Sequence, residues 1–201
     1  MIEKRIDNLG ALAEMIDAMR VENDGASVGL LFGELDGLHK VNARFGYQAG
    51  DEAIDIFHQK LCAIAREGDQ AIRISGTLFA LLIRDPLHEG HALLAAEKVS
   101  QLAEEWIVIA NVRLRLGIHI GVSLLPSLAG SAQELLTQAE SARHFCESIG
   151  ERFALWRGEL DIGGGSLTHA LFDAKSAIEN GDFRVHFQPK VDLRSGKPVG
   201  A

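Results

Sequence analysis

The sequence predicts a mixed α/β (α+β) fold, an antiparallel sheet with helices packed on it, and three observations lead there. Through "NVRLRLGIHIGVSLL" apolar residues alternate without fault, with Val112, Leu114, Leu116, Ile118, Ile120, Val122 and Leu124 on one face of an extended strand. In "AGDEAIDIFHQKLCAIAREGD" the apolar positions Ala53, Ile56, Phe57, Leu61 and Ile64 recur at helical spacing instead. In "RISGTLFALLI" two apolar runs flank Ser75-Gly76-Thr77, and a glycine there accepts the positive φ that a tight hairpin turn requires. With 201 residues and 47% hydrophobic content, the chain can bury a substantial core.

The remaining elements follow in order. "MIEKRIDNLGALAEMIDAMRVENDG" sets Ile2, Ile6, Leu9, Ala13, Ile16 and Met19 at helical spacing, and Asn23-Asp24-Gly25 ends that helix. "SVGLLFGEL" reads as a buried strand. Gly68 closes the helix that follows, and Asp85-Pro86 stops the second hairpin strand. "HEGHALLAAEKVSQLAEEW" is a long helix. On the long alternating strand Arg113, Arg115, His119 and Ser123 share the second face, which predicts an antiparallel, half-covered strand. "SAQELLTQAESARHFCESIG" is a helix with Ser131 as N-cap and Gly150 as stop, and "RFALW" is a short last strand. The βαββαβ order within this series is that of a ferredoxin-like sandwich with helices on one face. After Trp156 the texture changes. "RGELDIGGGS" is a glycine-rich linker, and "LTHALFDAKSAIENGDFRVHFQPKVDLRSGKPVGA" gives a helix, an Asn180-Gly181 turn, a strand and the start of another.

Composition excludes some functions. A net charge of -8 lacks the clustered cations of a nucleic-acid surface, and 6% aromatic content offers no stacking platform. No apolar run is long enough for a membrane span, and the start of the chain lacks the apolar core of a signal peptide. Cys62 and Cys146 fit no metal or redox spacing, and two lone thiols suit a reducing cytosol. A cytoplasmic location is the expectation.

Few constellations carry chemistry. Glu34 and Asp36 in "FGELDGLHKVN" lie two apart at a strand end, so both acids can approach one metal ion, or else form an acidic strand-to-helix loop. Asn42 and Asp51 flank a Gly46/Gly50 loop that opens a helix; an amide and a carboxylate there can read a purine edge, or Asp51 simply favours the helix N-terminus. Arg66 and Asp69 in "REGD" can hold an anion, or cap a helix end in the ordinary way. His88 and His91 in "HEGH" are too isolated for a metal site and read as a solvated helix start. A P-loop, a nucleophile elbow and a Cys/His dyad are all absent from the sequence.

Taken together, "GELDGLHKVNARFGYQAGDEA", "REGDQAIRISGTLFALLI", "GIHIGVSLLP" and "ESIGERF" resemble a GGDEF domain, the family that makes cyclic di-GMP from two GTP molecules. The resemblance spans residues 1–157 and implies a sandwich of the nucleotide-cyclase type. A linker over 158–166 separates it from residues 167–201, which resemble the opening of an EAL phosphodiesterase domain, where Gln188 matches a substrate-contacting glutamine. The family's Gly-Gly-Asp/Glu-Glu-Phe tip is here Ser75-Gly76-Thr77-Leu78-Phe79. Its third position is an acid that binds metal and helps activate the 3′-hydroxyl, a role Thr77 lacks the charge to fill. Glu34 stands at the family's metal-binding aspartate and is one methylene longer. A phosphate-binding Lys and Arg of the family align with Glu147 and Glu151, and His39 stands where a loop Lys would help. Asn42 and Asp51 keep the guanine-reading positions, and Arg66 and Asp69 match the inhibitory-site Arg-x-x-Asp.

The resemblance therefore implies a catalytically inactive GGDEF domain, a regulatory or interaction module for an attached EAL domain. No catalytic residue and no cofactor are expected, with Mg²⁺ needed only if residual nucleotide binding persists. Two alternatives stand beside it. One is a nucleotide-binding module taking cyclic di-GMP at Arg66 and Asp69, or GTP, and this site usually draws a contact from a second copy; the other is a residual cyclase. The N-terminal helix, with Ile2, Leu9 and Ile16 seven apart, either pairs with a second copy in a homodimer or packs on its own domain.

Overall fold

The structure, a computed structural model, describes residues 4–6, 8–22, 24–158, 190–192 and 197–200. The chain divides into two compact units, Met1–Asp161 and Ile162–Ala201. In the first, strands β1 (Lys4–Arg5), β2 (Val28–Asp36), β3 (Gln70–Ser75), β4 (Leu78–Arg84), β7 (Gly117–Leu125) and β8 (Phe153–Leu155) form one sheet in the order β1-β3-β4-β2-β7-β8. Strands β5 (Ile107–Ile109) and β6 (Val112–Leu114) make a separate hairpin. The helices are α1 (Leu9–Val21), α2 (Leu38–Phe45), α3 (Tyr47–Ile64), α4 (Glu89–Glu104) and α5 (Ala132–Ile149). In the second unit β9 (Lys190–Val191) and β10 (Pro198–Gly200) pair antiparallel. The tail helix, the three consecutive glycines of the linker, the Asn180-Gly181 turn and Gln188 lie outside the described residues.

The central strands β3-β4-β2-β7 are antiparallel and have the ferredoxin-like order. The edge strands β1 and β8 run parallel to their neighbours β3 and β7. Helices cover both faces of the sheet, not one. Leu31 and Leu35 of β2 join the core built with α3 and α4, while Val28, Leu30 and Phe32 join the core built with α1 and α5. The unbroken apolar run of β2 is the pattern of a strand buried on both sides. Strand β7 is likewise covered twice: Ser123 is fully buried, and its hydroxyl donates to Gln138 Oε1 of α5 at 2.6 Å.

Other expectations change for local reasons. The N-terminal helix begins only at Leu9, where the Asn8 side chain accepts from Ala11 N at 2.8 Å, and Lys4–Arg5 adds to the sheet edge instead. Leu12, Ile16 and Met19 are buried in the domain's own core, so packing rather than a seam uses them. The long alternating stretch is split, because Leu116 N leaves the ladder to donate to Ala103 O at 3.3 Å while Val112–Leu114 pairs with β5. Residues 38–45 form the short helix α2 between Gly37 and Gly46, whose φ values are +88° and +85°. Helix α3 then starts at Tyr47, so Gly50 is helical rather than part of a loop, and it ends at Ile64, ahead of Gly68. The hairpin turn, the Ser131 N-cap and the Gly150 stop form as the sequence predicts.

Helix α5 sits against β7 through Gly121. A Cβ there would overlap Ala139 O and Arg143 N of the α5 backbone, neither of which can yield. Gly121→Ala is expected to cost about 3 kcal/mol or more in a urea unfolding midpoint. Gly29→Ala, whose Cβ would meet Ile83 and Pro86 at an ordinary 3.5 Å, should change stability by less than about 1 kcal/mol.

Cys146 on the same helix face is fully buried, and burial pushes its thiol from 9.0 up to about 11. The unfolded thiol ionises first, so between those two values the unfolded state loses a proton the folded state keeps, and stability falls as pH rises through that window. Cys146→Ala is expected to flatten this part of the stability–pH curve relative to the parent. Iodoacetamide should label the half-buried Cys62 before Cys146 in folded protein.

Candidate functional site

The hairpin tip and the end of β2 meet because of sheet register. Gly33 pairs with Phe79 and Glu34 with Leu78, and Leu35 N donates to Thr77 O at 3.0 Å. The tight turn carries Gly76 at φ +45° and sets the Thr77 side chain over the strand end. Thr77 Oγ1 donates to Glu34 Oε1 at 3.1 Å. Ser75 and Gly76 are exposed, Leu78 is half-buried, and Phe79 is buried edge-on against Phe57 with ring centroids 4.9 Å apart.

Glu34 is also held from the other side. Arg143 of α5 places Nη1 2.7 Å from Glu34 Oε2 and 3.1 Å from Glu147 Oε2, and Nη2 2.9 Å from the His144 ring. The Arg143 side chain is only 5% exposed against 39% for that of Glu34. Its Nε has no hydrogen-bond partner. One buried guanidinium is thus shared between two carboxylates, with a hydroxyl completing the cluster. Glu147 faces this cation, and Glu151 lends its backbone carbonyl to His119 Nδ1 at 2.8 Å. Asp36 is exposed and its carboxylate accepts the N–H of Gly37. Among the described residues no three His, Cys, Asp or Glu side chains gather as a metal-ligating group.

The other sequence-predicted residues lie apart from this cluster. Asn42 of α2 lies across Gly50 of α3, where any Cβ would overlap its side chain, and its Oδ1 is buried with no hydrogen-bond partner. Asp51 is exposed on the next residue of α3, and no hydrogen bond joins the two. Arg66 and Asp69 form a built turn: Asp69 accepts from Arg66 N at 3.1 Å and from Arg84 N at 3.0 Å. Arg66 Nη1 reaches His91 Nε2 at 2.6 Å, and both line a pocket of about 170 Å³ with Lys98, Leu81 and Ile83. His91 is therefore not a solvated helix start.

Sequence reasoning missed Arg143 and set His91 aside as a solvated helix start. Arg143 carried a signal: it follows Ala139 and Ala142 on the apolar stripe of α5, where a cation needs a buried partner. Finding that partner requires knowing that α5 crosses β2 beside Glu34. His91 carried none until the fold set it against Arg66.

Among the described residues no helix is long and apolar enough to cross a membrane. The family model described as diguanylate cyclase, GGDEF domain, matches residues 7–150. MucR of Pseudomonas aeruginosa, named a bifunctional diguanylate cyclase/cyclic di-GMP phosphodiesterase, is 26% identical over 178 residues, covering 88% of this chain and 26% of that protein. NbdA of the same organism, named a cyclic di-GMP phosphodiesterase, is 25% identical over 86% of this chain and 22% of its own length. The chain thus spans about a quarter of these relatives. Among solved structures, the GGDEF domain of YfiN (TpbB) from Pseudomonas aeruginosa superposes with a TM-score of 0.65 at 25% identity, covering 74% of this chain and 92% of that one. The GGDEF domain of DgcB from Caulobacter crescentus, solved with c-di-GMP, shares the fold with a TM-score of 0.65 at 17% identity, over 78% and 95% of the two chains. With the strand order, the hairpin tip and the family match in agreement, the chain belongs to the GGDEF domain family.

Proposed function

We propose that this is a catalytically inactive GGDEF domain that serves as a regulatory and interaction module in cyclic di-GMP signalling, joined in a longer cytoplasmic protein to an EAL phosphodiesterase domain. The observation that carries the reading is the Arg143 guanidinium on Glu34. Joining two GTP molecules needs carboxylates that hold divalent cations and a base that takes the 3′-hydroxyl proton. Thr77 offers neither charge nor base, and Leu78 has no polar atom. Glu34 is the one acid left at the strand end with the family's metal-binding position, and its oxygens are already shared between Arg143 and Thr77. A cation arriving there would have to displace Arg143 and leave it buried with Glu147 as its one counter-charge, a penalty of several kcal/mol. The donor set does not fit Mg²⁺. The missing acid–base assistance alone accounts for a rate loss of about 10²–10⁴. The attached EAL domain is supported by the resemblance of residues 167–201 and by relatives named as phosphodiesterases.

A second reading, a cyclic di-GMP site at Arg66 and Asp69, is favoured by the pocket these residues line with His91 and Lys98. At about 170 Å³ it falls below the roughly 300 Å³ at which small-molecule pockets begin, so a bound dinucleotide would need cover from a second protomer or an attached domain.

Purified protein incubated with GTP and Mg²⁺ or Mn²⁺ is expected to make no cyclic di-GMP, and appreciable turnover overturns the reading. Millimolar Mg²⁺ should leave the melting temperature unchanged, because a ligand that binds only the folded state would raise it. Calorimetric titration with cyclic di-GMP tests the second reading: heat that Arg66→Ala abolishes supports it, and no heat removes it.

A further inference from the structure

A groove between α2 and β6 lies apart from both sites above. It encloses about 390 Å³, and its walls carry Lys40, Arg44, Arg113 and Arg115. All four are exposed, and none takes part in an ion pair among the described residues. A fifth of the chain's 20 Lys and Arg thus line one groove of a protein whose net charge is -8. The one acid on the rim, Asp36, turns its carboxylate to Gly37 N–H, and the local balance stays positive. Between the cations the floor is apolar, with Val41 and Leu116 buried and Phe45 partly so. At the β5–β6 hairpin Arg115 stacks on Trp106 with Cζ 4.1 Å from the ring centroid, and Trp106 and Val108 are 54% and 57% exposed. Exposed Trp and Arg beside an apolar floor is the composition of protein-interaction surfaces.

The backbone adds direction. Ala110 and Asn111 have φ of +50° and +63°, so β5 and β6 are joined by a two-residue turn with left-handed conformation at both positions. Ile109 and Val112 close that turn and exchange hydrogen bonds, which makes the next pair, Val108 and Arg113, a non-hydrogen-bonded one. Arg113 N–H and C=O therefore point away from β5. Among the described residues no third strand pairs with this hairpin, and no backbone bond to another element uses those two groups. Strand β6 thus presents an open edge along the cationic groove.

We propose that this groove binds an extended, acidic and amphipathic segment of a partner protein, added as a strand to the β6 edge. Main-chain bonds at Arg113 would set its register, alternate carboxylates would meet Lys40, Arg44 and Arg115, and the intervening apolar side chains would lie on Val41 and Leu116. A small phosphate ligand would use the cations but not the edge or the apolar floor.

The test uses the whole chain and three probes: a short peptide alternating glutamate and leucine, an all-glutamate peptide of equal length, and inorganic tripolyphosphate. Binding is read by Trp fluorescence and calorimetry. The alternating peptide is expected to bind roughly tenfold more tightly than the all-glutamate peptide. Its affinity should weaken with added salt and fall by roughly tenfold or more in Lys40→Glu/Arg113→Glu. Both substituted side chains are exposed, and an unchanged circular dichroism spectrum and melting temperature confirm that this variant folds. N-methylation of alternate peptide bonds in the same peptide should also abolish binding, since it removes the main-chain donors. No binding by the alternating peptide, equal binding of the N-methylated form, or tripolyphosphate binding as tightly as the peptide would each overturn the proposal.

Discussion

The charge cluster beside the hairpin tip depends on how closely α5 approaches β7. Gly121 has no side chain, so the α5 backbone at Ala139 and Arg143 rests directly on the strand, at a distance no other residue allows. That approach carries Arg143 below the sheet end, beside β2, the neighbour of β7, where Glu34 pairs across with His119. The guanidinium has nowhere else to go: its helix face is apolar, with Leu136, Ala139 and Cys146 buried around it. A buried cation without a counter-charge is among the most costly features a fold can hold, and Glu34 and Glu147 together remove that cost. Packing and electrostatics are one device here, since separating the helix from the strand would strand the charge.

If the site is inactive as proposed, this arrangement is how it could lose its reaction and keep its shape. Carboxylates gathered for a divalent cation repel one another until the cation arrives, so such a site is poorly compensated when empty. Here the positive charge is covalently part of the chain, and Thr77 donates where an acid would add to the repulsion. The turn glycine and Phe79 remain because they serve the hairpin and the core: Gly76 holds a positive φ, and Phe79 packs edge-on against Phe57. In the proposed reading, the positions that served only chemistry have changed, and the positions that also serve folding have not.

The fold was legible where one local rule acted alone. The turn at Gly76, the Ser131 cap, the Gly150 stop and the strand pairings of the hairpin all follow from short-range chemistry. Legibility failed where tertiary contacts redirected a sound local pattern. The alternation from Val112 to Leu124 is real on both sides of the break, but α4 captures the Leu116 N–H and turns the first half into a separate hairpin. Helix α2 was hidden because eight residues between two glycines read as a loop, although both glycines mark its ends. At the site, the acids and the hairpin residues could be placed from their spacing. The cation that joins them lies more than a hundred residues from Glu34, and no periodicity links the two positions.

The two charge concentrations of this domain also differ in kind. Around Glu34 the charges are paired, one of them buried, and committed to each other, so water and ions have little access to Arg143. Along the α2–β6 groove the cations are exposed and form no ion pair among the described residues, although Arg115 and Arg44 rest over the rings of Trp106 and Phe45. The first arrangement stabilises a structure; the second, in the proposed reading, attracts a partner, because long-range attraction survives only where charge has not been neutralised at home. Under the proposed function, a reaction centre whose acid is already bound to the chain's own cation gains no interaction there. The proposed partner segment would use a surface where polar backbone and charge are still open, and the β6 edge combines both.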